Sequence, residues 1–169
     1  RDLRDTETEW FFWAFRVRGA AGMTVTFDMT HDYIGKFGPA VSHDGASWEW
    51  LMDRDNAHSF TYTFGEGETC VYFAHHMLYH LDRFYEFCSR HNLACGELGK
   101  SKKTGESIPY LAFGEGTEYI LLTARHHACE STGSYVLEGV LDELLLHPLK
   151  NFRVVCVPFV DYDGVCCGD

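Results

Sequence analysis

Two side chains in this chain have the types and the spacing to hold a metal ion. His127 and Glu130 lie in the run Ala124-Arg-His-His-Ala-Cys-Glu130-Ser-Thr-Gly133. Three positions apart, they can aim an imidazole nitrogen and a carboxylate oxygen at one ion from about one turn of backbone. Imidazole and carboxylate are ordinary ligands of zinc, and a zinc ion with an open position acidifies bound water and polarises a carbonyl, which is the chemistry of hydrolysis. The spacing alone is not diagnostic, because with 10 histidines and an acidic composition about one such pair is expected by chance. Location adds to it. The pair sits where an apolar run gives way to a helical pattern, and ligands of open α/β sheets gather at the carboxyl ends of strands. A carboxylate there is also favoured by the helix dipole. The competing reading is that Glu130 merely caps the helix while the two histidines close the strand.

Other candidate sets are weaker. His75, His76 and His80 fall at the start of a predicted helix, and His76 with His80 has two-ligand helical spacing, but no glutamate completes an HExxH motif. The polar face of a helix explains them more simply. Cys129 with His126 could be a thiol and its base, yet no third residue is placed to orient them.

The elements that would position His127 and Glu130 are legible from periodicity. Val136, Leu137, Val140, Leu141, Leu144 and Leu145 form a helical stripe ending before Pro148. Before the pair, Ile108 to Phe113 and Tyr119 to Ala124 are short apolar runs divided by Gly114-Glu-Gly116, which reads as a hairpin or strand pair. After the helix, residues 152–160 are nearly continuously apolar, as expected of a strand covered on both faces. Strand, helix and strand from 119 to 160 make a parallel βαβ crossover the expected connection. Met77, Leu81, Phe84 and Cys88 place an earlier helix across Ala74 to Arg90, and Gly96 to Gly105 reads as a polar loop.

Upstream of residue 70 the period is two. Met23, Val25, Phe27 and Met29 alternate with polar residues, Ser59 to Phe64 repeats the pattern, and Asp44-Gly45 marks a hairpin between Pro39–Ser42 and Ser47–Trp50. With a first strand around Phe11 to Val17, this argues for an antiparallel β-sandwich over about residues 1–70, followed by an α/β domain over 71–169. The 4 tryptophans, Trp10, Trp13, Trp48 and Trp50, admit a second functional class: a non-catalytic module that stacks carbohydrate on indole faces or binds a protein partner. Alternation favours their filling a core instead.

Composition bounds the rest. The 169 residues are 46% hydrophobic and include 13 Phe and 9 Tyr, enough for a substantial core, so intrinsic disorder is excluded. A net charge of −11 repels phosphate backbones and anionic headgroups, which excludes nucleic acid and membrane surfaces as expected partners. No apolar run reaches membrane-spanning length. Seven cysteines without a regular pattern suggest free thiols in a reducing, cytoplasmic compartment.

The segment Ala-Arg-His-His-Ala-Cys-Glu, followed by Gly133-Ser134 and Leu137-Glu138-Gly139, resembles the zinc-binding segment of the metallocarboxypeptidases, especially their cytosolic branch. Val157-Pro-Phe-Val-Asp-Tyr-Asp163-Gly164-Val165 is similar to that family's strand ending in Asn-Pro-Asp-Gly-Val, with Gly168 at its next glycine. Val71-Tyr-Phe-Ala74 resembles the link from sandwich to catalytic domain, and the aromatic strands with Pro39 and Trp48 resemble the sandwich itself. The resemblance implies a mixed-sheet carboxypeptidase-like domain, a zinc cofactor held by His127 and Glu130, and a peptide or protein C-terminus as substrate. It also implies a third histidine ligand, a substrate-binding arginine motif and a glutamate base beyond Asp169, so that this chain would carry two of three zinc ligands and no peptidase activity alone. A fragment is expected, because a sheet ending on its central strand is left short of neighbours. Departures from the family pattern fall at Ala128-Cys129, in place of Pro-Gly, and at Asp161 and Tyr162, in place of Asn and Pro. Arg125 matches the arginine of the cytosolic branch and reads as charge support or substrate contact near the site, or else as half of a surface salt bridge.

Overall fold

The computed structural model describes residues 12–30 and 33–167, and the chain divides into two compact units, Arg1–Leu78 and Tyr79–Asp169. Trp10, Phe11 and Gly168 lie outside the described residues.

The first unit consists of antiparallel strands: β1 (Ala14–Arg18), β2 (Thr24–Asp28), β3 (Ala40–Ser42), β4 (Glu49–Trp50), β5 (Ser59–Thr63) and β6 (Cys70–Ala74). They form a four-stranded sheet in the order β1-β6-β3-β4 and a two-stranded pair β2-β5. Alternation decides what each strand buries. Val25 and Phe27 pair in register with Tyr62 and Phe60 and turn inward, while Thr24 and Thr26 face Thr63 and Thr61 on the exposed side, hydroxyl to hydroxyl at 3.0 and 2.8 Å. The core is aromatic. Phe73 on β6 is fully buried and its ring meets those of Phe15, Phe27, Phe60, Tyr62 and Phe64 at centroid separations of 5.1–6.1 Å. Between β3 and β4, Asp44 ties the turn by accepting from the amides of Ala46 and Ser47 at 2.8 and 2.7 Å, which holds its carboxyl well below the usual carboxylate range.

The second unit holds α1 (Leu81–Arg90), β7 (Gly96–Lys100), β8 (Ser107–Phe113), β9 (Glu118–Thr123), α2 (Ser131–Leu146), β10 (Phe152–Val157) and α3 (Tyr162–Cys167). Its sheet runs β7-β8-β10-β9, with β9 and β10 parallel and the other pairs antiparallel. The expected β9-α2-β10 connection is therefore present. Leu111, Leu122 and Cys156 lie on the covered sheet face, packed in one cluster with Phe84 and Phe87 of α1 and Leu137 and Leu141 of α2, and Val154 of β10 is also buried. The two helices are tied by Glu138, 8% exposed, whose carboxylate accepts from Arg83 Nε and Nη2 at 3.1 and 3.0 Å and from Arg90 Nη2 at 3.2 Å. Among the described residues no helix is long and apolar enough to cross a membrane.

Several expectations are corrected. Residues 70–74 form β6 in the first unit and α1 begins only at Leu81, because the valine and aromatics of 71–73 extend a strand before the helical pattern begins. His75, His76 and His80 therefore share no helical face. His75 and His76 instead face each other Nδ1 to Nδ1 at 2.7 Å, and His80 holds the N-cap position of α1. The segment read as a polar loop contains β7, which has an irregular register at Glu97–Gly99. β8 and β9 are not a hairpin, since β10 lies between them. Nor is β10 covered on both sides: Val155 and Val157 are half-buried, and Tyr119 and Leu121 on the neighbouring strand are 68% and 65% exposed. Its apolar run reflects an interior position in the sheet, not two buried faces.

Candidate metal centre

The site is built by a seven-residue loop between two regular elements. β9 ends at Thr123 and α2 begins at Ser131, so residues 124–130 must turn from a strand into a helix start. The parallel register carries the chain past the strand ends: Ala124 N–H donates to Val157 O at 3.3 Å, Val160 N–H to Ala124 O at 3.0 Å, and Asp161 N–H to Arg125 O at 2.8 Å. Inside the loop, Glu130 N–H donates to His127 O at 3.1 Å and Ser131 N–H to Cys129 O at 2.8 Å. This winding brings positions 127 and 130 onto one side.

His127 and Glu130 do converge. Nδ1 of His127 lies 3.1 Å from Oε1 of Glu130, with both side chains mostly exposed, at 74% and 58%. A carboxylate only accepts, so the imidazole donates from Nδ1. Glu130 occupies the N-cap position of α2, yet its side chain makes no cap hydrogen bond. The capping explanation of this glutamate therefore fails, and its carboxylate is turned toward the imidazole. Residues at the mouth of the sheet fit a zinc ion in type and separation: ligand distances of about 2.0–2.2 Å at a tetrahedral angle put two donor atoms about 3.4 Å apart, a small opening from what is observed. Among the described residues no group of three or more His, Cys, Asp or Glu is gathered to hold a metal. His127 and Glu130 thus present two donors and no third.

Arg125 is not at the surface. It is 7% exposed and its backbone is left-handed at φ 55°, a region non-glycine residues enter at a cost of about 1–2 kcal/mol. The surface salt bridge is excluded by this burial. The guanidinium instead folds under its own loop: Nε donates to Ala128 O at 2.8 Å, Nη2 donates to the same oxygen, and Nη1 donates to Tyr79 O at 2.9 Å and to Ser134 Oγ at 3.4 Å. All three acceptors are neutral, and desolvation lowers the pKa of the group, opposed by the electrostatic influence of Cys129, Asp161, Tyr79 and Glu130.

The loop is also pressed from α3. A Cβ on Gly164 would lie 2.3 Å from Asp161 Oδ2 and 2.8 Å from Ala128 Cβ, so only glycine lets α3 approach Ala128, the residue after His127, this closely. The sequence signalled this glycine only through the resemblance. Asp161, where that pattern has asparagine, caps α3 by accepting from Gly164 N–H at 3.0 Å. Cys129 is buried, and burial followed by the charge of Glu130 raises its thiol pKa; His126 is exposed, with Nε2 3.4 Å from Thr123 Oγ1. The two make no nucleophile and base.

In the first unit, Trp13 is 6% exposed and stacks on Phe60 at 6.3 Å, which removes it as a sugar platform, whereas Trp48 is half-buried beside a cleft of about 240 Å³ shared with His43, Asp44 and Glu49. The Trp48 indole N–H is buried without a hydrogen-bond partner.

No family model matches the chain. It is 28% identical to an uncharacterized protein of Zymomonas mobilis over 193 residues, covering 98% of this chain and 48% of that protein. Among solved structures it is similar to a metallo-carboxypeptidase from Burkholderia cenocepacia, with a TM-score of 0.72 at 19% identity, covering 94% of this chain and 48% of that one. It is likewise similar to a metallo-carboxypeptidase from Pseudomonas aeruginosa, solved in complex with (2-guanidinoethylmercapto)succinic acid, with a TM-score of 0.70 at 18% identity over 92% and 47% of the two chains. The chain thus has the fold of the corresponding part of metallo-carboxypeptidases and spans about half the length of the relatives it matches.

Proposed function

We propose that this chain contributes His127 and Glu130, two of three protein zinc ligands, to a polypeptide that removes C-terminal residues from peptides or proteins. The observation that carries the reading is the pairing of His127 Nδ1 with Glu130 Oε1 at 3.1 Å, exposed at the carboxyl end of β9 and freed from helix capping. The carboxypeptidase-like fold supports it. Zinc, when bound, would supply an acidified water and a polarised scissile carbonyl. The residues of this chain would do the holding: Glu130 through its carboxylate and His127 through Nδ1, as the neutral ring with its proton at Nε2. A third histidine and a glutamate base, which the resemblance locates beyond Asp169, belong to the remainder of the proposed site. By itself the 169-residue chain should hydrolyse no C-terminal peptide bond at an enzymic rate. Seven free thiols support a reducing, cytoplasmic location.

Titration of the chain with zinc against a chromogenic chelator tests the reading. One site is expected, lost in His127→Ala and in Glu130→Gln, with folding stability changed by no more than about 0.5 kcal/mol because both side chains are exposed. Equal zinc binding by all three proteins would remove these residues from the site.

A further inference from the structure

We propose that Arg125 is a positioning residue: its buried guanidinium, clamped on the carbonyl of Ala128, sets the separation of His127 and Glu130. The inference rests on the zinc reading for its function but on separate observations for its geometry. Ala128 lies between the two donors, and its carbonyl oxygen receives both Nε and Nη2 of one planar group. The remaining nitrogen reaches Tyr79 O, just before α1, and Ser134 Oγ, in the first turn of α2. One side chain thereby references the loop to two helix starts. A buried cation whose hydrogen-bond acceptors are all neutral is costly, as is a left-handed arginine backbone, and both costs fall two residues before His127. The fork explains why an arginine stands here. A lysine ammonium is a point charge that cannot hold one carbonyl oxygen with two converging bonds from a rigid fork while a third nitrogen reaches two further acceptors.

Residues that orient metal ligands typically change metal affinity by about 10–100-fold when replaced. In the 169-residue chain, Arg125→Lys and Arg125→Ala should each weaken zinc binding by about 10-fold or more, and amide hydrogen exchange at Glu130 and Ser131 should accelerate. Amides inside α2 should keep their protection. Guanidinium chloride at tens of millimolar should restore both zinc affinity and loop protection to the alanine variant, whereas methylammonium should not. Lysine or alanine variants within twofold of the native chain in both readouts would overturn the assignment. So would loss of protection throughout α2 without guanidinium rescue, which would make Arg125 a determinant of the whole unit. If the native chain binds no zinc, the proposed function fails, and loop exchange alone still decides whether Arg125 holds the loop.

Discussion

The aromatic unit and the loop that carries His127 and Glu130 solve opposite problems. In the first unit, Phe73 sits among five other rings and, among the described residues, no charge is buried with it, so its geometry follows from every second residue turning inward. In the loop between β9 and α2, the central object is a buried cation with a strained backbone, surrounded by carbonyls. The first arrangement stores stability. The second spends some of it to fix where two exposed side chains meet, as functional sites do. Stability and site should therefore separate under mutation.

The largest expected effect is in the first unit. Phe73→Ala removes the ring that touches the most others and should destabilise that unit by about 3–5 kcal/mol in chemical denaturation. Zinc affinity of the chain should be unchanged. A parallel loss of zinc binding would erase the distinction between the two regions.

A smaller change in volume should have the reverse pattern. Gly164→Ala forces a methyl against Asp161 and Ala128, costing about 1–3 kcal/mol through overpacking. Because the displaced Ala128 directly follows His127 in the span to Glu130, zinc affinity should fall well beyond what that destabilisation implies. An alanine variant with native zinc affinity would show that α3 does not position the loop.

Alkaline unfolding sharpens the comparison further. Burial first, and then the Cys95 thiol, pushes Cys88 up to about 12 from 9.0, and burial does the same to Cys156. Between those values the folded second unit retains protons that the unfolded chain has released, so their contribution to stability is complete below about pH 9 and drains as pH rises toward about 12. In the first unit Tyr62 is raised from 10.0 to about 12, by burial and then by its hydrogen bond to Glu68, so its loss begins one pH unit later. Circular dichroism along a pH series should show α-helical signal failing before the β unit, and Cys156→Ala should move the helical loss upward. Simultaneous loss of both signals, unaffected by that variant, would contradict the assignment.

What the sequence disclosed follows from where local pattern decides structure. The strands β2 and β5, the Asp44 turn, helix α2 and the parallel pairing of β9 with β10 were all legible, because alternation, a turn dipeptide or a leucine stripe specifies each by itself. The insertion of β10 between β8 and β9 was not, since strand order is a long-range choice that no short window contains. The same holds for β7, whose two glycines and lysine disguise a strand. At the candidate site, the convergence of His127 and Glu130 was legible from their spacing. The burial of Arg125 was not, because an arginine at a strand end ordinarily reaches solvent, and only the fold reveals that Tyr79 O, Ala128 O and Ser134 Oγ enclose it.

X-ray absorption at the zinc edge, on the chain loaded with one equivalent of zinc, tests the central claim most directly. One imidazole and one carboxylate, completed by solvent oxygens at about 2.0–2.2 Å, is the predicted shell, with the imidazole signature absent in His127→Ala. A shell dominated by sulfur at about 2.3 Å, drawn from the seven free cysteines, would contradict it.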